Sequence, residues 1–175
     1  MKLIILDRDG VINIDSPSFV KSAAEWTPIA GSIEGISLLK AAGWKVAIAS
    51  NQSGLGRGLF SEEDLEGIHR KMFNALKAYG AEIDLIEVCP HAPDFGCGCR
   101  KPKPGLLEKI GARFECSLVN VPVVGDSKRD LDAAATVQAK PILVLTGNGR
   151  ATSDMTLPVG TLIFNDLLEV SLAFT

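Results

Sequence analysis

The sequence predicts an α/β fold in three layers, a parallel β-sheet with helices on both faces. Short β-branched runs alternate with longer amphipathic segments, the pattern of strands buried on both sides and of the helices that cover them. At 175 residues the chain is also about the size of one domain, long enough to bury about two thirds of its unfolded surface in one core. A single domain over residues 1–175 is therefore expected.

The expected strands are Lys2 to Leu6, Lys45 to Ser50, Ile83 to Val88, Val121 to Gly125, Pro141 to Leu145 and Thr161 to Phe164. Helices are expected over Ser32 to Ala42, Glu62 to Tyr79, Gly105 to Phe114, Arg129 to Gln138 and Asp166 to Ala173. The second of these has both a start and a stop signal: Ser61 with Asp64 three residues on, and Gly80 just after Tyr79. Asp9 to Pro28 and Pro90 to Pro104 are the only sizeable irregular segments, and no insertion is large enough to form a separate cap domain.

Composition narrows the function. A net charge of -3 is far from the basic balance of a nucleic-acid binder, so no nucleic-acid partner is expected. The longest apolar stretches, such as Leu3 to Leu6 and Val46 to Ala49, are far short of the roughly 20 residues that cross a membrane. The first strand reaches Asp7 at once, which leaves no room for a cleavable signal peptide and points to the cytoplasm. Cys89, Cys97 and Cys99 cluster around His91 while Cys116 stands apart, which suits a metal site better than a disulfide framework.

In an open parallel sheet, ligands bind beyond the carboxyl ends of the strands. Asp7-Arg8-Asp9-Gly10 follows the first strand, Ser50-Asn51-Gln52-Ser53-Gly54 the second, Arg100-Lys101-Pro102 the third through the Cys/His cluster, and Gly125-Asp126-Ser127 the fourth. Asp7 and Asp9 would project to one side of extended backbone, a carboxylate pair able to divide the work of nucleophile and acid/base. A carboxylate attacking phosphorus needs its charge offset by a hard cation such as Mg²⁺, to which Asp126 could add another carboxylate. Ser50 can donate to a phosphoryl oxygen, Lys101 can neutralise charge on the transferred group, and the Gly-rich loop with Arg57 offers backbone donors and a cation. Alone, each of these residues reads equally well as a turn, a cap or a solvated charge. Four strand ends with complementary groups make the joint coincidence improbable.

Together, Asp7 to Asn13, Ser50 to Gly54, Cys99-Arg100-Lys101-Pro102 and Gly125-Asp126 resemble the motifs of the haloacid dehalogenase (HAD) superfamily of phosphatases. Within it they resemble the branch that acts on heptose bisphosphate and histidinol phosphate. The resemblance covers Leu3 to Gly147 and implies a Rossmann-like, HAD-like fold and hydrolysis through an aspartyl-phosphate. It gives Asp7 as nucleophile, Asp9 as general acid and base, and Ser50 and Lys101 as holders of the phosphoryl group. Mg²⁺ would be bound by the Asp7 carboxylate, the Asp9 carbonyl and Asp126. Asp15, Ser16, Pro17, Ser18, Asn51, Gln52 and Ser53 would face the substrate, and Arg100 would reach beyond the reacting phosphate. The branch also carries a structural zinc, for which Cys89, His91, Cys97 and Cys99 supply a closed Cys₃His set in a loop over about residues 89–99. Asp130 is either an orienter of metal-bound water or a favourable charge at a helix start, and stays outside the metal set.

The expected substrate is a small phosphorylated sugar: D-glycero-D-manno-heptose 1,7-bisphosphate losing its 7-phosphate, on the route to lipopolysaccharide core, by a monomeric enzyme. Histidinol phosphate is the alternative. A phosphoacceptor signalling module also places an Asp at a strand end, but Asp9 argues for turnover rather than retention of the phosphoryl group.

Overall fold

A computed structural model describes residues 1–175 and shows the alternation running the length of the chain. β1 (Leu3–Leu6) leads to α1 (Ser32–Ala41), β2 (Lys45–Asn51) to α2 (Ser53–Gly56) and α3 (Glu62–Ala78), and β3 (Leu85–Cys89) to α4 (Gly105–Arg113). β4 (Pro122–Gly125) leads to α5 (Lys128–Thr136), β5 (Lys140–Val144) to α6 (Gly149–Ser153), and β6 (Leu162–Phe164) to α7 (Leu167–Phe174). The strands form one parallel sheet in the order β3-β2-β1-β4-β5-β6. The chain builds outward from β1 to one edge, then returns to β4 on the other side. Loops leaving β1 and β4 therefore diverge, and the crevice between them lies at the carboxyl ends of the strands.

The period of β1 explains the layers. Ile4 and Leu6 join a core with Ile36 and Leu39 of α1, Ile68, Met72 and Leu76 of α3, and Val170 of α7. Leu3 and Ile5 point the other way, to Leu106, Leu107 and Ile110 of α4 and to Ala133 and Ala134 of α5. Burial on both faces is why these strands read as unbroken apolar runs.

At the start of α3, Ser61 Oγ accepts from the Asp64 N–H at 3.1 Å and the Asp64 carboxylate accepts from the Ser61 N–H at 2.9 Å. At its end Gly80 is left-handed at φ 68°, the Gly80 N–H reaches Lys77 O and the Ala81 N–H reaches Leu76 O, both at 3.0 Å. This is a Schellman stop.

Most boundaries move by one or two residues. The helix expected over Arg129 to Gln138 runs instead over Lys128–Thr136, with Gln138 left-handed at φ 57°. α2 lies within a stretch expected to be loop, and α6 was not anticipated. Between β1 and α1 only the Asp9–Asn13 and Asn13–Pro28 bridges and a 3₁₀ turn at Ala23–Glu25 occur, and the loop after β3 holds one 3₁₀ turn at Pro93–Phe95. No helix is long and apolar enough to cross a membrane.

Candidate active site

Asp7 follows the central strand, its N–H still bonded to Val124 O of β4 at 2.9 Å. One carboxylate oxygen, Oδ1, accepts from the Arg8 N–H at 2.8 Å and forms an ion pair with Lys101 Nζ at 3.1 Å. Oδ2 has no protein donor. Lys101 is buried; its Nζ donates to Ala49 O at 2.7 Å and forms ion pairs with Asp7 Oδ1 and with Asp130 Oδ1, the latter at 2.7 Å. Its backbone is fixed as well: Asn51 Oδ1 accepts from the Lys101 N–H at 3.1 Å, and Asn51 Nδ2 donates to Lys101 O at 3.0 Å. The Asn51 amide is thereby engaged in positioning Lys101.

Asp9 is held by four donors. Arg8, fully buried, pairs with it through Nε and Nη2 at 3.0–3.2 Å, Asn13 Nδ2 reaches Oδ1 at 2.9 Å, and Gln52 Nε2 reaches Oδ2 at 2.8 Å. Burial pushes this carboxyl upward, but the Arg8 charge and these hydrogen bonds outweigh it and hold Asp9 below the usual carboxylate range. Gln52 Nε2 also donates to Ser50 Oγ at 2.8 Å, which leaves the Ser50 hydroxyl hydrogen free for a ligand.

Asp126, after β4, has one oxygen locked and one open. Oδ2 accepts from the Asn148 N–H at 2.8 Å and from Asn148 Nδ2 at 3.2 Å. It sits between Gly10 and Gly147, where an added Cβ would come within 2.1 and 2.2 Å of it, so both glycines are needed for the close approach. Oδ1 is buried with no partner. Burial raises Asp126 to about 6, against the Asn148 N–H and with help from Asp130. Asp7 is raised to about 7, first by burial, with Lys101 opposing and Asp130, Asp126 and Asp9 adding repulsion.

The carboxylates of Asp7, Asp126 and Asp130 thus crowd together, with atoms within 4.8 Å of one another. Lys101 neutralises one of the three negative charges, and the buried remainder fits a divalent cation with oxygen ligands. The orphaned Asp126 Oδ1, the Asp7 carboxylate and the Asp9 carbonyl, which accepts no hydrogen bond, fit such an ion.

A cleft of about 150 Å³ opens over this cluster, lined among others by Asp7, Asp9, Asp15, Ser16, Asn51, Gln52, Ser53, Arg100 and Arg129. Pro17 lines a neighbouring groove with Asn148, and Ser18 is exposed beside it. Arg57 lies outside the cleft, in a larger groove bordered by the Cys/His loop, with its guanidinium carbon 6.0 Å from the Phe19 ring centroid.

In that loop Cys89, His91, Cys97 and Cys99 converge without a disulfide. Cys89 Sγ is 3.2 Å from Cys99 Sγ, 3.7 Å from Cys97 Sγ and 3.6 Å from His91 Nδ1, and Cys99 Sγ is 3.3 Å from His91 Nδ1. A tetrahedral zinc with Zn–S bonds of about 2.3 Å has ligand–ligand edges of about 3.8 Å, so the four atoms fit one such ion. Phe95 stacks on the imidazole at 4.3 Å. The loop leaves β3 at Cys89 and returns through Cys99 directly into Arg100 and Lys101.

Sequence reasoning missed four contributors. Arg8 carries no signal of its own inside the Asp7-Arg8-Asp9 motif, the sequence shows the acidity of Asp130 but not its pairing with Lys101, Arg129 reads only as a helix start, and the Thr146-Gly147-Asn148 turn follows β5 outside the motifs. The last has a signal, a glycine-bearing turn directly after a strand, like the motifs at the other strand ends.

Comparison with known proteins agrees with this geometry. Residues 98–170 match the HAD-hydrolase-like family model. A D-glycero-beta-D-manno-heptose-1,7-bisphosphate 7-phosphatase of Pseudomonas putida is 49% identical over 171 residues, 98% of each chain. That of Bordetella bronchiseptica is 53% identical over 172 residues, 98% of this chain and 96% of its own. A crystal structure of the B. bronchiseptica D,D-heptose 1,7-bisphosphate phosphatase, complexed with magnesium and phosphate, superposes with a TM-score of 0.98 at 52% identity over 99% of this chain and 98% of that one. The Burkholderia thailandensis phosphatase gives 0.80 at 41% identity over the same shares. With about half its residues shared along nearly its whole length, the chain belongs to the heptose-bisphosphate 7-phosphatase family of HAD-like hydrolases.

Proposed function

We propose that the chain is a Mg²⁺-dependent phosphatase that removes the 7-phosphate of D-glycero-β-D-manno-heptose 1,7-bisphosphate and leaves the anomeric phosphate in place. The observation that carries the chemistry is the buried Asp7, one oxygen held by Lys101 and Arg8 and the other free, beside a second carboxylate with an orphaned oxygen. The substrate rests on near full-length similarity to phosphatases of that name.

In this reading an Asp7 carboxylate oxygen attacks phosphorus, the P–O bond to the sugar breaks, and the leaving alkoxide takes a proton from Asp9. Asp9 starts ionised, but a phosphate dianion beside it favours the protonated form, as any like charge does. Asp9 then takes a proton from water, which attacks the aspartyl-phosphate and releases inorganic phosphate and free Asp7. Ser50 and Lys101 hold the phosphoryl oxygens. Asp7, Asp126 and the Asp9 carbonyl would hold Mg²⁺, which would supply charge neutralisation at phosphorus. Zinc in the Cys₃His loop is architectural, since four protein ligands leave no open position.

The chain works as one domain, one sheet with both faces covered. A cytoplasmic setting suits it, because reduced thiolates are needed to hold the zinc. The monomer is the simplest functional unit, since every group in the mechanism comes from one chain. Steady-state assays on heptose 1,7-bisphosphate and histidinol phosphate, with phosphorus NMR of the products, test the reading. Loss of the 7-phosphate and higher kcat/KM on the bisphosphate are expected, and equal or better turnover of histidinol phosphate refutes it.

A further inference from the structure

Two arginines line the catalytic cleft without an ion-pair partner, and a third stands beside it. Arg100 and Arg129 line it with Asp7 and Asp9, and Arg57 packs near Phe19, another cleft residue. None of the three appears in an ion pair, although the chain forms several elsewhere. Arg100 Nη1 is buried and bonded to nothing. Such a donor is costly to leave unpaired.

The placement of Arg129 is also unfavourable on local grounds. Ser127 caps α5, so Arg129 is its second residue, where the positive end of the helix dipole disfavours a cation. It also shares the cleft wall with Arg100, a second cation. The carboxylates of Asp130, Asp7, Asp126 and Asp15 overcome desolvation and keep Arg129 protonated, yet none of them pairs with it. Two guanidinium groups directed at one cleft, one at a disfavoured helix position and one with an orphaned donor, are explained by an anion that binds between them.

We propose that Arg129 joins Arg100 in a guanidinium pair that grips the phosphate remaining on the sugar, which makes Arg129 a specificity-determining residue. The inference rests on the bisphosphate reading above. The reacting phosphate already has Ser50, Lys101 and the cation. The remote phosphate has only this pair, whose planar forks match its oxygens with charge-assisted hydrogen bonds. A monophosphate cannot use that binding energy.

The test measures kcat/KM of the Mg²⁺- and zinc-loaded enzyme on heptose 1,7-bisphosphate and on heptose 7-phosphate, for wild type, Arg129→Ala and Arg129→Lys. The wild-type preference for the bisphosphate should fall roughly 10- to 100-fold in Arg129→Ala, mostly through KM, since hydrogen bonds to a charged group are lost. Arg129→Lys should restore part of it, keeping the charge but not the fork. Equal losses on both substrates would mean that Arg129 acts on the catalytic carboxylates, and an unchanged ratio would mean that it does not touch the remote phosphate; either overturns the clamp. A wild type that favours histidinol phosphate in the assays given under the proposed function overturns the bisphosphate reading as well, whereas a bisphosphate preference that Arg129→Ala retains overturns the clamp alone.

Discussion

Lys101 shows how few residues decide the chemistry. Its ammonium bridges Asp7 and Asp130, and with all three buried the cluster is stable only while every member is present. Asp7→Asn should therefore abolish phosphate release, because an amide cannot form the acyl phosphate; turnover near wild type by a folded variant would refute the nucleophile. Asp130→Asn should lower the melting temperature and slow turnover, since Lys101 loses one of its two carboxylates and shifts toward Asp7. Breaking a buried pair costs about 3–5 kcal/mol, which thermal denaturation would detect readily. Asp7, Asp9, Ser50, Lys101 and Asp126 were identifiable in the sequence because each follows a strand end or a motif tied to one. Asn148 and Asp130 were not, because their roles depend on partners brought together only by the fold: Asn148 on Asp126, and Asp130 on Lys101.

Elements with strong local signals were found where expected. α3 is the clearest, with a capping box at one end and a glycine stop at the other. α5 ended early because its left-handed terminator is Gln138, a residue type that does not announce one, and α2 and α6 are too short for a 3.6-residue period to show. The Cys/His loop was recognisable by composition, but its connection to catalysis emerges only in three dimensions. Cys89 O accepts from the Gln52 N–H at 2.8 Å, Pro90 O from the Gly56 N–H at 2.9 Å, and the returning arm of the loop delivers Arg100 and Lys101. Zinc should thus hold the phosphoryl-binding lysine in register as well as stabilise the loop. Cys97→Ser should lose most of its zinc, melt at lower temperature and turn over more slowly even with Mg²⁺ in excess. Full zinc content by elemental analysis, together with unchanged melting, would show that Cys97 is not a ligand.

At the scale of the molecule, the sheet keeps chemistry at one end and leaves the other for stability. The reversal of strand order between β1 and β4 gathers Asp7, Asp9 and Asp126 at the carboxyl ends, a placement that the β/α alternation alone predicts. At the amino end, Asp84 ties three elements together. Its carboxylate accepts from Lys40 Nζ of α1 at 2.5 Å, Lys45 Nζ of β2 at 2.8 Å and the Val46 N–H at 2.8 Å, while its own N–H bonds Val46 O at 2.9 Å. Burial works to raise this carboxyl, but the two lysines and the Val46 N–H prevail and hold it below its ordinary 3.8. A carboxyl depressed in the folded state stabilises fully above its unfolded pKa and loses that contribution as pH falls through the folded value. Asp84→Asn should therefore cost about 1–3 kcal/mol at neutral pH, the typical worth of hydrogen bonds to a charged group. Thermal melts over a pH series should show the deficit shrinking as pH falls below the ordinary carboxyl range, where the unfolded chain takes up the proton first and folded Asp84 follows at lower pH. Because the carboxylate lies at the opposite end of the sheet from Asp7, kcat on the heptose bisphosphate should stay within about twofold of wild type wherever the variant is folded. A deficit that persisted undiminished at pH 3 would show that shape, not charge, gives Asp84 its role.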